Sequence, residues 1–169
     1  WNIWTDQSDS LSQRDVGRLQ FYCASNQEIL DTVIQAYRVT EQVMLPAMVI
    51  YDAFVLSHTS EIVDIPDRGQ VDEFLPPFLP RYSLNVTEPA TFNSLTSPDF
   101  YQEMRQDMQK GMDEASEVIE LTSREFQDIF DRFYPSIEEY RVEDADIILI
   151  TSGTVSSTSR IAVDQLRKE

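Results

Sequence analysis

With 169 residues, 41% of them hydrophobic, the chain can bury the core of one domain or slightly more. Thirty acidic residues against thirteen basic ones give a net charge of −17, which repels nucleic acid and anionic membrane and sets both aside as partners. The acidity reads either as a solubility device, in a saline cytoplasm for instance, or as a surface that meets a basic subunit; no apolar run approaches the roughly 18 residues of a membrane helix and no leader-like pattern opens the chain, so a cytoplasmic location is expected.

The chain opens on Trp1-Asn2-Ile3-Trp4 and then turns polar through Thr5-Asp6-Gln7-Ser8-Asp9-Ser10, a composition that favours side-chain-to-backbone turns over helix or strand. Arg14 and Asp15 close this run. The residues alone leave two readings open: a polar loop that satisfies its own backbone, or a loop that faces a ligand. A start at Trp1 rather than Met reads as a processed or cut piece of a longer protein.

Leu19 to Ala24 is apolar and aromatic enough for a strand, and Ser25 with Glu28 forms a capping box that starts a helix running to about Gln42. Leu30, Val33, Ile34 and Tyr37 recur at helical spacing as the expected packing face, leaving Asp31, Gln35 and Arg38 on other faces. Pro46 to Tyr51 is a continuous apolar run, the pattern of a parallel strand covered on both faces. The three elements form a βαβ unit. Sites in open α/β sheets lie beyond the carboxyl ends of the strands, so Asp52, Ser57 and His58 in the loop after the second strand are candidates. His58, without a nearby partner of known geometry, is expected to be a hydrogen-bonded structural imidazole rather than an acid or base.

The single cysteine, Cys23, excludes an internal disulfide, a CxxC zinc site and a cluster of four thiolates, and among Phe21 and Tyr22 it reads as a buried strand residue. One histidine leaves no histidine pair for a metal, so no metal site is expected. Pro66, Pro76, Pro77, Pro80, Pro89 and Pro98 mark residues 61–97 as a long extended connection. Asn85-Val86-Thr87 within it matches a glycosylation acceptor but is discounted without a secretory context.

Ser97-Pro98 starts a long helix, in which Phe100, Met104, Met108, Met112, Ala115 and Ile119 form the expected core stripe and Gly111 weakens the middle. A second helical piece is expected over Ser123 to Phe133, ending before Pro135. Ile147-Ile148-Leu149-Ile150 reads as another buried strand, turned by Thr151-Ser152-Gly153 into a helix from about Val155 to Arg167. This hydroxyl-rich turn is a candidate phosphate cradle at a helix N-terminus, although it lacks GxGxxG and the Walker pattern. A lone strand and helix cannot bury both faces, so this unit is expected to belong to a larger sheet.

Several runs together resemble one family. Trp4 to Asp9, Gln13-Arg14-Asp15-Val16-Gly17, Leu45 to Val49, Asp52 to Thr59, Val71-Asp72-Glu73-Phe74-Leu75-Pro76-Pro77 and Glu143 to Gly153 follow, in order, the alpha subunit of 2-oxoacid:ferredoxin oxidoreductases, the pyruvate enzyme above all. Two runs depart from the pattern. Arg14-Asp15-Val16-Gly17-Arg18 stands where Arg-Asp-Thr-Gly-Trp is expected, and Tyr51-Asp52-Ala53-Phe54 where Leu-Asp-Gly-Phe is expected.

The resemblance implies an α/β fold: residues 1–138 as the C-terminal part of a parallel-sheet, thiamine-diphosphate pyrimidine-binding-type domain with a long connecting helix, and residues 139–169 as the first strand and helix of a transketolase C-terminal-like domain. It implies oxidative decarboxylation of a 2-oxoacid, with electrons passed through iron–sulfur clusters to ferredoxin and the acyl group to coenzyme A. Thiamine diphosphate with Mg2+ and 4Fe-4S clusters would serve the complex, none held wholly by this chain; beta, gamma and delta-type subunits or fused equivalents would be its partners. The catalytic carboxylate and main substrate-holding residues are expected upstream of Trp1. By the same resemblance Asp6, Gln7, Ser8, Asp9, Arg14 and Asp15 form a substrate-adjacent loop, in which Arg14 and Asp15 pair to hold it. Two other readings stand beside this one: a related oxidoreductase for 2-oxoglutarate, a branched 2-oxoacid or oxalate, and a non-catalytic acidic module that docks subunits.

Overall fold

A computed structural model describes residues 2–80, 82–93 and 95–168; Trp1 of the opening aromatic pair lies outside the described residues. The elements are α1 (Ser8–Leu11), β1 (Leu19–Cys23), α2 (Asn26–Val43), β2 (Ala47–Tyr51), α3 (Arg68–Phe74), α4 (Pro98–Phe130) and α5 (Thr154–Leu166). The fold is mixed α/β. β1 and β2 pair in parallel with Leu19 opposite Ala47 and Cys23 opposite Tyr51, and α2 supplies the crossover that a parallel pair requires. β2 is half-buried rather than covered on both faces, because the described residues add no third strand to the sheet.

At the start of α2 the Ser25 hydroxyl accepts the Glu28 amide at 3.1 Å. The Glu28 carboxylate reaches one residue farther than a capping box and accepts the Ala24 amide at 2.7 Å. Met44, at φ 58, closes the helix by donating its amide to the Thr40 carbonyl. The face expected to be buried packs only in part, through Ile34 and the half-buried Leu30. Asp31, Thr32, Ile34, Gln35, Ala36 and Val39 are buried while Val33 and Tyr37 face outward.

The reason is a carboxylate. Asp31, 0% exposed, accepts Arg132 Nε at 2.6 Å and Nη2 at 3.0 Å, the Tyr134 hydroxyl at 2.7 Å and Gln27 Nε2 at 3.1 Å. Four donors offset a desolvation that would exclude an unpaired carboxylate. Arg132 also donates Nη1 to Asp64 at 3.0 Å. Hydrogen bonding to Asp31 raises the Arg132 pKa further, and burial together with the Asp31 bond raises that of Tyr134.

α4 is one continuous helix of 33 residues rather than two pieces. Ser123, expected to cap a second helix, sits inside it and clamps the returning chain, accepting the Tyr134 amide at 3.1 Å while donating to the Tyr134 carbonyl. Asp131, at φ 57, terminates α4. Only its C-terminal part is deeply packed: Phe126 and Phe130 meet Ile34 and Phe74 in one cluster, and Ala115 joins Leu19 and Val39 in another, beside Met112 and Ile119. The expected methionine stripe fails at its N-terminal end, where Phe100 and Met104 are exposed because no described element lies against that turn. At Gly111 the cost in helix propensity has a packing counterpart, since a Cβ there would meet Leu45 Cδ1 at 3.2 Å.

Within the proline-rich connection the sequence conceals α3. The Asp67 amide donates to Gln70 Oε1 at 3.3 Å, Gln70 Nε2 donates to the Ile129 carbonyl at 3.0 Å, and Phe74 lies edge-on to Phe126 at 5.3 Å and 86°. Asn85 accepts the Thr87 amide at 3.0 Å in a local turn.

The strand expected over Ile147–Ile150 does not form, and these residues are 89, 63, 68 and 91% exposed. A strand exists only against a partner edge, and the β1–β2 pair does not extend to this run. The helix that follows forms as expected, but α5 buries none of its described residues.

Candidate functional site

The loops that the sequence singles out converge beyond the carboxyl end of β2. The first is the N-terminal run. Asp6 Oδ1 accepts the Ser8 amide at 3.0 Å and the Ser8 hydroxyl at 2.8 Å, an Asx turn that leads into α1. The Ser8 amide, followed by its hydroxyl, holds the Asp6 carboxyl below its ordinary pKa. Asp9 accepts the Ser10 amide at 2.7 Å. The loop is pinned to β1 by residues the sequence reading does not single out. Buried Ser10 has its hydroxyl 2.9 Å from the Tyr22 hydroxyl, and its carbonyl accepts Gln20 Nε2 at 2.7 Å. Alternation along β1, which places Gln20 and Tyr22 on one side of the strand, is the signal that points to them.

The second loop follows β2. Asp52 is 3% exposed and accepts the Thr154 amide at 2.9 Å and the Thr154 hydroxyl. Gly153, the residue before α5, has no side chain with which to cap the helix, so Asp52 supplies the carboxylate from the other loop and satisfies a helix N-terminal amide. A Cβ at Gly153, where φ is +68, would lie 3.0 Å from both Asp52 carboxylate oxygens. Phe54 holds a left-handed backbone at φ 63, a conformation that costs a bulky residue energy and persists only where its surroundings enforce it. Ser57 provides part of that enforcement, accepting the Phe54 amide at 3.0 Å. The Ser57 hydroxyl lies 2.7 Å from His58 Nδ1, so His58 is hydrogen-bonded as expected, and its ring is exposed.

Two contacts join the loops. The Trp4 ring lies 4.7 Å from Phe54, which stacks on His58 at 4.6 Å and 25°, forming a ladder of three rings. Gln7, left-handed at φ 57, accepts the Ser152 hydroxyl at 3.4 Å. Gln7 therefore meets the turn before α5, and Trp4 carries the Asp6 to Asp9 run to the Asp52 to His58 loop. Arg14 and Asp15 lie elsewhere, against α4: Arg105 Nη1 donates to the Asp15 carbonyl at 3.1 Å. Their mutual ion pair is long, 3.5 Å, with the side chains 74 and 82% exposed, a geometry that contributes little to holding a loop.

Burial defines the remaining candidates. Cys23 is 1% exposed, and burial pushes its thiol up to about 11, which makes it inert as a nucleophile. No group of three His, Cys, Asp or Glu side chains among the described residues is placed to hold a metal ion. The turn read as a phosphate cradle is filled by Asp52, and no Lys or Arg lies in residues 4–9, 52–59 or 151–154. A diphosphate does not fit these residues.

Residues 1–124 match the family described as "Pyruvate flavodoxin/ferredoxin oxidoreductase, thiamine diP-bdg". The chain belongs to this family. The pyruvate synthase subunit PorA of Methanothermobacter thermautotrophicus is 48% identical over 168 residues, covering 98% of this chain and 44% of that protein. PorA of Pyrococcus furiosus is 46% identical over 171 residues, 99% of this chain and 43% of that protein. The ketoisovalerate oxidoreductase subunit VorA of Pyrococcus horikoshii is also 46% identical, over 100% of this chain and 43% of its own length. The chain thus spans less than half the length of these relatives, and identity does not separate those named for pyruvate from those named for ketoisovalerate. No helix among the described residues is long and apolar enough to cross a membrane.

Proposed function

We propose that this chain is part of the alpha subunit of a thiamine-diphosphate-dependent 2-oxoacid:ferredoxin oxidoreductase, with pyruvate as the favoured substrate. The observation that carries the reading is the 48% identity to a pyruvate synthase subunit over 98% of the chain. The enzyme decarboxylates the 2-oxoacid oxidatively, passes electrons through iron–sulfur clusters to ferredoxin and delivers the acyl group to coenzyme A, in the cytoplasm. Residues 1–138 serve as the C-terminal part of the pyrimidine-binding-type domain, and residues 139–169 open the second α/β domain. The diphosphate, Mg2+ and clusters are held by residues outside this chain, on the rest of the subunit and on beta, gamma and delta-type partners.

In this reading the chain's own residues shape the wall of the substrate region. Asp6 and Asp9 present carboxylates on a loop whose backbone is fixed by Ser8, Ser10 and Tyr22. Trp4, Phe54 and His58 add an aromatic surface beside that loop. The Ser57 hydroxyl fixes the His58 ring through Nδ1. The dense hydrogen bonding within the loop is also what a purely structural loop requires, so substitution decides between the roles. In the intact complex Asp6→Ala and Asp9→Ala should each lower turnover about tenfold, the scale of one lost charged contact; unchanged kinetics would return the loop to a capping role. Mass spectrometry and metal analysis of that complex should find companion subunits, iron, acid-labile sulfide and thiamine diphosphate. A chain isolated without any of them would favour the subunit-docking reading, to which the exposed face of α5 lends support.

A further inference from the structure

In a chain with more than twice as many acidic as basic residues, most of the described cations are claimed by carboxylates. Arg38, Arg68, Lys110, Arg124, Arg132, Arg141, Arg160 and Arg167 each have a carboxylate partner. Among the described residues Arg18, Arg105 and Lys168 have none within 4.0 Å, and the Arg14–Asp15 pair, at 3.5 Å, is the longest of all. Two of these under-paired cations belong to one place. Arg14 and Arg105 line a common cavity of about 140 Å³ between the turn before β1 and the side of α4.

The cavity is built into the backbone. Gly17 is buried at φ +80, a left-handed backbone that favours glycine, and its Cα side faces the Met108 side chain of α4, whose Sδ a Cβ there would displace. Arg105 is anchored by one end: Nη1 donates to the Asp15 carbonyl at 3.1 Å, 3.6 Å from Met108 Sδ. Its Nε and Nη2 make no hydrogen bond among the described residues. Arg14 engages Asp15 through Nε alone, which leaves both terminal nitrogens open. Two guanidinium forks therefore line one small space against a single, mostly exposed carboxylate, with Met108 and Met112 providing apolar surface beside them. Guanidinium forks pair with planar or tetrahedral oxyanions through two parallel bonds, and apolar surroundings strengthen the attraction.

We infer that this cavity is an oxyanion-binding site, taking a carboxylate or phosphate group between Arg14 and Arg105, apart from the loops proposed to border the substrate. The inference does not depend on the proposed enzymatic activity. Its test uses the intact protein and a dicarbonyl reagent that modifies arginine, read residue by residue by peptide mass spectrometry, with inorganic phosphate and acetate as probes at low ionic strength. Bound anion should slow modification of Arg14 and Arg105 about tenfold, the scale of a charged hydrogen bond, and leave exposed Arg68 unaffected. Protection by phosphate alone or acetate alone would identify the preferred oxyanion, and either supports the site. Arg14→Gln, whose exposed side chain makes it safe for folding, should abolish protection of Arg105. Equal modification of Arg14, Arg105 and Arg68 with and without both anions, or protection of Arg105 undiminished in Arg14→Gln, would overturn the inference.

Discussion

Asp31 and Asp52 are both buried carboxylates, and they are satisfied in opposite ways. Asp31 lies mid-helix and is gripped by a cation, Arg132, with Tyr134 and Gln27 completing its shell. Asp52 lies in a loop and is met by the amide and hydroxyl of Thr154 at the start of α5, with no ion pair among the described residues. The first fastens the end of α4 to α2 inside the packed core. The second ties the loop after β2 to a helix that buries none of its described residues. Charge in a core thus serves as a lock, whereas at the candidate site a carboxylate serves as a helix cap.

The largest expected effect lies at Asp31. Asp31→Ala strands Arg132 and the Tyr134 hydroxyl and should destabilise the protein by about 3–5 kcal/mol, the range for removing one partner of a buried pair. Chemical denaturation measures it, and a loss below roughly 1 kcal/mol, the level of an exposed pair, would show that Asp31 is no lock. Asp52→Ala removes a cap without stranding a cation and should cost about 1 kcal/mol, read as faster hydrogen exchange confined to the first turn of α5 and the 52–59 loop. Global exchange on Asp52→Ala would mean that the two carboxylates play the same part.

The smallest effect belongs to Glu28, one turn before Asp31. Burial raises its pKa above the ordinary 4.5, opposed by the Ala24 amide and reinforced by Glu138, while Arg160 lowers it and Asp31 raises it. An acid whose folded pKa lies above its unfolded value contributes stability that is complete below 4.5 and is lost as pH rises through the folded value. Glu28→Gln should therefore flatten the fall in stability as pH rises from 4.5, seen as a smaller pH dependence of the denaturation midpoint. A slope equal to that of the parent would assign the dependence to other groups.

What the sequence makes legible follows from the range of each interaction. The βαβ unit is written in local apolar runs and in the Ser25 cap, and it forms where the residues place it. The packing face of α2 is misread because Asp31 and Gln35 look solvent-bound until Arg132, 101 positions away, reaches Asp31. α3 hides between Pro66 and Pro76, and only Phe126 and Phe130 explain why Phe74 turns inward. The apolar character of Ile147–Ile150 is legible, but a strand depends on a neighbouring edge that the run itself cannot encode. At the candidate site the position of Asp52 beyond β2 is foreseeable, whereas Thr154, 102 residues later, is not. The wall of rings is partly concealed as well, since Trp4 and Phe54 meet only after the chain folds back on itself.

We propose that this chain works in the alpha subunit of a 2-oxoacid:ferredoxin oxidoreductase that favours pyruvate. The most direct measurement is coenzyme-A-dependent reduction of ferredoxin by the purified intact complex, with pyruvate, 2-oxoisovalerate, 2-oxoglutarate and oxalate compared at equal concentration. The account predicts reduction with the highest kcat/KM on pyruvate. Reduction led by another of these acids would overturn the substrate assignment, and no reduction with any of them by a complex containing its thiamine diphosphate and iron would contradict the account itself.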